Sequence, residues 1–403
     1  MMSVVVIGGG VMGASVAWHL AKHHQREVVV LERDASYALA SSARSACAIR
    51  QQFSTAINIR VSQASLAFYR DIAVHLATAD DRPDIGLVEP GYLYLAATEH
   101  GAAQLRAQHA LQASLGVSTA LLSPHELRAR YPWMQVDDVL VGSLGLSTAT
   151  SGEGWFDGYA AMQAFRRAAI AEGVRFVEAE ATGVVTLGVT TSGVTTSGAQ
   201  VEAVVTRDGR QWPATQLVIA AGAWSAPVAA WLGFDLPVRA RKRDVFAVQA
   251  AESLPAAPLL IDPSGVWCRP ERAPGQFLCG APPRIDADDV PLDAVDHALF
   301  EEHIWPVLAS RIPSFDALRV LSTWAGYYEM NTFDHNGLVG LVPGWRNAYA
   351  ACGFSGHGLQ QAPAVGCGLA DLMATGAYRH IDLSPFALTR IAAGQPLLER
   401  NVI

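Results

Sequence analysis

The turn Gly8-Gly9-Gly10-Val11-Met12-Gly13 is preceded by the apolar run Ser3-Val4-Val5-Val6-Ile7 and followed by a helical pattern and a second apolar run, Glu27 to Leu31, that ends at Glu32. Strand, glycine turn, helix, strand and acid in this order form one βαβ unit for a dinucleotide. Gly8 permits the tight turn out of the strand, Gly10 lets the backbone approach a pyrophosphate, and Gly13 lets the helix pack closely on the strand. The amides of Val11 and Met12 open the helix and face the phosphates. Glu32 stands where an acid accepts the ribose hydroxyl hydrogen bonds, with Arg33 beside it in the same cofactor-binding set.

Composition bounds the rest. The chain has 403 residues, 51% hydrophobic and 16% charged, which is the make-up of a well-buried globular protein. That length predicts two domains, not necessarily as continuous segments. A net charge of −8 without a basic run argues against nucleic acid as a main partner. Cys47, Cys268, Cys279, Cys352 and Cys367 are scattered and never spaced as CxxC, so neither a disulfide framework nor a metal site is expected. The N-terminal apolar run has no basic flank and is broken by glycines, unlike a secretion signal. The uncharged stretch Gln211 to Phe234 carries Pro213, Gly222, Pro227 and Gly233, which fit a strand, a turn and a short helix better than a membrane span. A cytoplasmic protein with no transmembrane segment is expected.

Behind the first unit, Ser41-Ser42-Ala43-Arg44-Ser45 leads through Cys47 to Arg50 and Phe53. These hydroxyls, amides and arginines can serve phosphates, a flavin edge or an anionic substrate, or form a solvated loop into a helix over 58–77. Val88 to Ala96 reads as a strand after Pro-Gly, followed by a helix over 99–115 and another opened by Ser123. The chain then returns to the nucleotide layer with a helix over 158–172, a strand over 174–177, and Leu217 to Ala220 entering Ala221-Gly222-Ala223-Trp224. Gly188 to Gly198 duplicates a five-residue unit and reads as an expanded hairpin loop. From Pro237 the pattern is β-rich, and in its basic run Arg241-Lys242-Arg243 at least one side chain reads as a solvated strand edge. Finally Thr323 to Tyr328, with Gly326 inside it, and a strand over 348–352 lead to a second glycine turn, Gly353-Phe354-Ser355-Gly356-His357-Gly358, that feeds a helix to Gly376. Two glycine turns at helix starts imply a long cofactor held at both ends, the second dipole facing something electron-rich.

These stretches together resemble the flavin-dependent amine and amino-acid oxidoreductases that include D-amino-acid oxidase, glycine oxidase, sarcosine oxidase and D-arginine dehydrogenase. Ile49 to Ser54 and Asn331 to Gly337 are similar to the mitochondrial FAD-dependent oxidoreductase-domain proteins. The resemblance implies an α/β, Rossmann-like FAD-binding domain (1–85, 147–235 and 321–403) with an interleaved antiparallel-sheet substrate domain (86–146 and 236–320). It implies non-covalent FAD, because the cysteine that sarcosine oxidase carries near Gly326 is absent. Gly8, Gly10, Gly13 and Glu32 would bind the ADP half, and Ser41, Ser42, Arg44 and Ser45 would lie along the pyrophosphate or flavin. The backbone near Ala181 would meet adenine, and Ala221, Gly222 and Trp224 would close around the ribose side. Gly353, Gly356, His357, Gly358, Leu359 and Gln360 would border the isoalloxazine.

At the substrate end, the arginine of glycine oxidase is replaced by Tyr328 and the lysine of sarcosine oxidase by Gln360. A small carboxylate-bearing amine would therefore pair with Arg50, helped by Tyr328 or Gln360, unless Arg50 is structural or meets the flavin. His357 would stabilise the reduced flavin or select the neutral amine, or else fix the glycine loop. Trp267 and Tyr94 would wall the pocket or pack in the core. The oxygen-promoting lysine of sarcosine oxidase matches about Leu278, which favours a dehydrogenase passing electrons to a quinone or carrier over an oxidase using O2. The alternatives are a 2-hydroxy-acid dehydrogenase and a flavin-stabilised assembly or binding protein.

Overall fold

The computed structural model describes residues 3–189, 195–254 and 256–401. Its first layer grows from Ser3–Ile7, a β-branched run that must be covered on both faces. This strand pairs in parallel with Glu27–Glu32 on one flank and Gln216–Ile219 on the other. Arg175–Glu178 extends the sheet beyond the former, and Ala348–Cys352 and Leu338–Leu341 beyond the latter. Only Leu338–Leu341 joins this sheet antiparallel. Alternation sorts the side chains: Val4, Val6, Val28 and Val30 face the helices Val11–His24, Gly158–Ala171 and Gly358–Thr375. Val5, Ile7, Val29 and Leu31 face a three-stranded antiparallel sheet that includes Ala181–Val189 and Thr195–Thr206. Residues 190–194, within the duplicated pentads expected to form an expanded hairpin loop, lie outside the described residues.

The helix Gly358–Thr375 contains Pro363, which cannot donate to the carbonyl of Leu359. The Tyr69 hydroxyl donates to that carbonyl instead, at 2.7 Å, and Ser15 Oγ donates to Ala362 O at 2.8 Å. Both bonds fasten the helix to its neighbours where its own ladder is interrupted. At its far end Asp371 receives the amides of Arg379 and His380 and the His380 ring, and lies 3.2 Å from His24 Nε2. Cys367 completes this group, whose carboxylate is already saturated by the turn it closes.

The second layer is an eight-stranded sheet that gathers distant segments: 319–331, 238–249, 276–280, 267–270, 259–261, 92–96, 141–145 and 119–122, in that order. Its joint is the parallel pairing of Leu259–Ile261 with Tyr92–Tyr94. The expected domain boundary at 321 falls inside the strand Arg319–Asn331, which pairs with Val238–Gln249 along its whole length. The expected strand from Val88 starts at Tyr92, because Gly91 turns the chain at φ 106 and Val88 contributes only a bridge to Trp155. The helix expected over 58–77 forms as Ala56–Arg70 and Ile72–His75, broken at Asp71. Arg241, Lys242 and Arg243 do lie where the strand has a partner strand on one flank only, Arg319–Asn331, but that edge is covered and partly buried. The loop 282–293 lies over them, Asp286 pairing with Arg241 and Arg243, and Ala294 O accepting from Lys242 Nζ at 2.5 Å.

No helix among the described residues is long and apolar enough to cross a membrane, and the five cysteines are free. The C-terminal stretch is tied down by charge: Arg390, 7% exposed, donates from Nε and Nη2 to both oxygens of the fully buried Asp334 at 2.7 and 3.0 Å. Asp334 also receives the amide of Leu397 at 2.9 Å. Replacement of Arg390 by Met leaves Asp334 buried without its cation, and urea denaturation is expected to show a loss of about 3–5 kcal/mol; a change within ±0.5 kcal/mol refutes that role.

Candidate cofactor and substrate site

Two glycine turns leave the carboxyl ends of Ser3–Ile7 and Ala348–Cys352, parallel strands with Gln216–Ile219 between them, and open helices towards one cleft. At the first, Gly8 has φ 101, and a Cβ there would lie 2.4 Å from Ala220 O. A Cβ on Gly13 would meet Gly8 O at 1.9 Å, so helix and strand touch through bare backbone. Gly10 differs: the nearest atom to its Cβ position is Ser42 Oγ at 3.7 Å, and the missing side chain leaves space rather than relieving a clash. The first intrahelical bond runs from Ala14 N–H to Gly10 O at 2.9 Å, so the amides of Met12 and Gly13 have no partner within the helix. Val11 N–H donates to Ser42 Oγ at 3.2 Å. The first turn carries no acid and Gly10 has no side-chain cap, which leaves the positive end of the dipole for an anion. Glu32 is fixed at the adjoining strand end by the amides of Gly9 and Asp34, at 2.8 and 3.0 Å.

A cavity of about 480 Å³ runs across these strand ends. One end is lined by Gly8, Gly10, Val11, Met12, Glu32, Arg33, Ala181, Ala221, Gly222 and Trp224, with the Arg33 guanidinium 3.9 Å from the Trp224 ring centroid. The other end is lined by Ser41, Ser42, Arg44, Ser45, Gly326, Tyr328, Gly356, Gly358 and Leu359. Arg44 borders the cavity, but its guanidinium is committed to the carbonyls of Ala38 and Ala325, at 2.6 and 2.7 Å. Ser41 Oγ likewise donates to Tyr327 O at 2.7 Å, so the short helix Ser41–Arg44 is stitched to the strand Arg319–Asn331. At the second turn Gly356, φ 92, has no side chain because the Tyr328 ring fills the place, 2.5 Å from where a Cβ would stand. The helix it feeds has no side-chain cap either, its first internal bond being Gln361 N–H to His357 O at 3.2 Å.

Gly13, Arg50, Gly353, His357 and Gln360 are not on the cavity lining. Arg50, His357 and Gln360 meet one another beside it. The Gln360 Oε1 accepts the Arg50 amide at 2.8 Å, and Arg50 Nη2 lies 3.0 Å from His357 Nε2. Burial, then the Arg50 charge, holds the His357 imidazole well below its usual pKa, so this contact is a donation from the guanidinium to a neutral ring. Nη2 also donates to Asn401 O, where the C-terminal stretch folds over residues 52–58. Glu399, fully buried there, accepts from Ser54, Thr55 and Asn58. Arg50 is 5% exposed, pairs with no carboxylate among the described residues, and has its Nε buried without a partner. The Tyr94 hydroxyl is also buried without a partner. Tyr92, Trp155, Tyr94 and Trp267 belong to one aromatic cluster, and Trp267 reaches the cofactor cavity. The Arg50 guanidinium lies 6.0 Å from the Tyr92 ring centroid, so it and the aromatic cluster make up one packed chamber wall beside the cofactor cavity.

Sequence reasoning passed over Tyr92 and Trp155 on the chamber, the Glu399–Asn401 strap, and Glu329 on the cavity wall. Glu329 alone had a signal, since it directly follows Tyr328 in a stretch already singled out.

The model of the family described as DAO, FAD dependent oxidoreductase, matches residues 3–372. FAD-dependent oxidoreductase domain-containing protein 1 of Xenopus laevis is 38% identical, over 99% of this chain and 84% of that protein. Mitochondrial sarcosine dehydrogenase of Mus musculus is 26% identical over 91% of this chain and 38% of its own length. Among solved structures, L-proline dehydrogenase from P. horikoshii superposes with a TM-score of 0.82 at 25% identity, covering 98% of this chain and 99% of that one. Glycine oxidase from Geobacillus kaustophilus shares the fold with a TM-score of 0.79 at 23% identity, covering 97% and 99%.

The two glycines of the first turn separate cofactor approach from folding. Gly10→Ala is expected to leave the melting temperature of the FAD-free protein unchanged while weakening FAD binding at least about tenfold, roughly 1.4 kcal/mol. Gly13→Ala, by overpacking, is expected to cost the FAD-free protein about 1–3 kcal/mol. Titration of apoprotein with FAD, followed by flavin fluorescence, together with thermal melts, distinguishes them; equal effects of both variants would refute the assignment.

Proposed function

The chain belongs to the DAO family of FAD-dependent oxidoreductases, and on that premise we propose that it oxidises the C–N bond of a small amino acid or N-alkylated amino acid to an imine. The observation that carries this reading is the Arg50 guanidinium, buried with an unpartnered Nε and in no ion pair among the described residues, the buried Glu399 and Glu153 acting on it only through space. A buried charge in that condition is costly unless a ligand supplies the missing anion. The nearby Tyr94 hydroxyl, kept protonated because burial pushes its pKa up, is a second donor awaiting an acceptor. A guanidinium and a neutral hydroxyl in an aromatic chamber suit a small carboxylate.

When bound, FAD supplies the electron sink, accepting hydride at N5 from the carbon next to nitrogen. The chain's own residues place the substrate. Arg50 holds the carboxylate, and His357 and Gln360 hold Arg50, one through its side chain and one through its amide. Tyr94 adds a neutral hydrogen bond, and Tyr92, Trp155 and Trp267 exclude water from the reacting carbon. No side-chain base is required if the amine binds neutral. No lysine among the described residues lines the cavity, and the position that the resemblance matches to the oxygen-promoting lysine is Leu278, buried and off that lining; both support a dehydrogenase that delivers electrons to a quinone or carrier. Similarity to sarcosine dehydrogenase and to L-proline dehydrogenase, each named for a secondary amine, supports the same substrate class.

Anaerobic addition of amino acids and N-methyl amino acids to the yellow protein is expected to bleach the flavin with at least one of them, and admission of air to restore the colour slowly. No bleaching by any amine overturns the reading, and fast re-oxidation overturns the dehydrogenase preference. Arg50→Lys keeps the charge but loses the fork. It is expected to raise the apparent dissociation constant of the best substrate about 10–100-fold, the worth of a charge-assisted hydrogen bond of about 1.5–3 kcal/mol; an unchanged constant removes Arg50 from the carboxylate site.

A further inference from the structure

Across the strand ends, Glu32 follows Glu27–Glu32, Gly8 follows Ser3–Ile7, Ala221 follows Gln216–Ile219 and Gly353 follows Ala348–Cys352, in the order of the sheet. Glu329 lines the cavity at the Gly353 side, the end remote from Glu32 and hence the end for the flavin ring. Its Oε2 accepts the Gly353 amide at 3.0 Å, and its Oε1 lies 3.1 Å from the position a Cβ on Gly358 would take, at the opening of the second helix. No lysine, arginine or histidine pairs with it among the described residues.

Among the described residues Asp244 also lines the cavity, but it lies 3.7 Å from the Lys242 ammonium and accepts the Asp296 amide at 3.2 Å, so a cation already faces it. In the strand Val238–Gln249, Glu329 faces Ala240, and the flanking Arg239 and Arg241 are turned to the carbonyls of Leu236 and Val238 and to Asp286 and Asp288. Arg243 pairs with Asp286 and lies 5.0 Å from the Tyr328 ring centroid. From the strand Ala348–Cys352 comes the Cys352 thiol, which burial, then Glu329, pushes well up, so it stays protonated. From the glycine turn comes His357, held neutral and committed to Arg50. Arg44, on the short helix packed against the strand, is bound to carbonyls.

We propose that Glu329 is a proton site coupled to the cofactor, its carboxylate taking one proton from water when the bound flavin gains two electrons and returning it on re-oxidation. The physical cause is like charge at close range in one partly enclosed cavity. Reduction adds negative charge at the ring's pyrimidine edge, and a neighbouring carboxylate answers by binding a proton, forming its own O–H bond with no electron moved to or from the side chain. The balance is two electrons and the flavin's own proton to the cofactor, and one further proton to Glu329. Burial, opposed only by the amides of Gly353 and Phe354, already raises this carboxyl to about 7, so a modest added charge suffices at neutral pH. The helix opening at Gly358 holds the ionised form in place while the flavin is oxidised.

The inference rests on FAD binding alone and not on the amine substrate, so dithionite serves as the reductant. The midpoint potential of the bound flavin, measured against pH from 6 to 9 with reference dyes, counts protons taken up per two electrons. Wild-type protein is expected to take up one proton more than Glu329→Gln across the range above pH 7, and Glu329→Asp to retain that proton with its onset displaced. Equal counts in wild type and Glu329→Gln overturn the proposal. Where the Gln variant fails to keep FAD, the wild type decides: a change of slope supports the proposal, and one slope over the whole range overturns it.

Discussion

Two helix openings without acidic caps converge on a single cavity, and the remaining features of the cofactor layer follow from that electrostatic constraint. Each opening concentrates partial positive charge and unpaired amides. Globular proteins commonly satisfy such ends with Ser, Thr or Asp; here the caps are Gly10 and His357, neither giving a side-chain cap, and among the described residues the side chain that accepts from the first helix's opening amides is Ser42, from a later segment. The counter-charge is left to a diphosphate and to the electron-rich edge of the flavin. The parallel strand order makes this possible, because neighbouring parallel strands deliver their turns to the same edge of the sheet.

The second layer meets that edge with a different kind of incompleteness. Its aromatic residues are packed and its sheet is fully paired through the middle, yet a guanidinium and a phenol hydroxyl are left wanting partners. His357 shows how the two layers are joined. The sequence reading put it on the glycine turn to stabilise the reduced flavin, select the neutral amine or fix the loop; in the structure its ring is off the cavity lining, against Arg50 and in an edge contact with Phe53, at 4.9 Å between centroids. A residue of the second glycine turn thereby orients Arg50.

What was legible in the sequence is what local backbone chemistry dictates. Gly8, Gly10 and Gly13 announce a turn whose tolerances hold wherever such a turn occurs, and Gly356 and Gly358 do the same at the second helix. Ser123 with Glu126 was likewise readable as a helix start, and the two side chains form the reciprocal pair of hydrogen bonds. Arg50 carried meaning only through resemblance, since nothing near it in sequence shows that it will be buried. Tyr92 and Trp155 gained theirs from the pairing of Tyr92–Tyr94 with Leu259–Ile261, some 165 positions later in the chain. Glu399 and Asn401 could not be read at all, because their partners Ser54 and Gln52 are nearly a chain length away. The strand Arg319–Asn331 strayed across an expected boundary for a similar reason: its register with Val238–Gln249 is a property of the sheet, not of its own residues.

The parallel joint between Leu259–Ile261 and Tyr92–Tyr94 has a consequence for how the molecule is made. A sheet whose middle is closed by segments so far apart cannot assemble in the order in which the ribosome delivers them. The strands 92–96 and 141–145 must wait, edge open, until residues beyond 259 emerge, and the wall of the cavity waits longer still for 319–331. During that interval the nascent chain exposes an unpaired strand edge that invites misassociation, so its protection falls to folding helpers or to speed. The cofactor can be enclosed only after the strand 319–331 and the second glycine turn have both emerged, long after the first turn that will hold its phosphates.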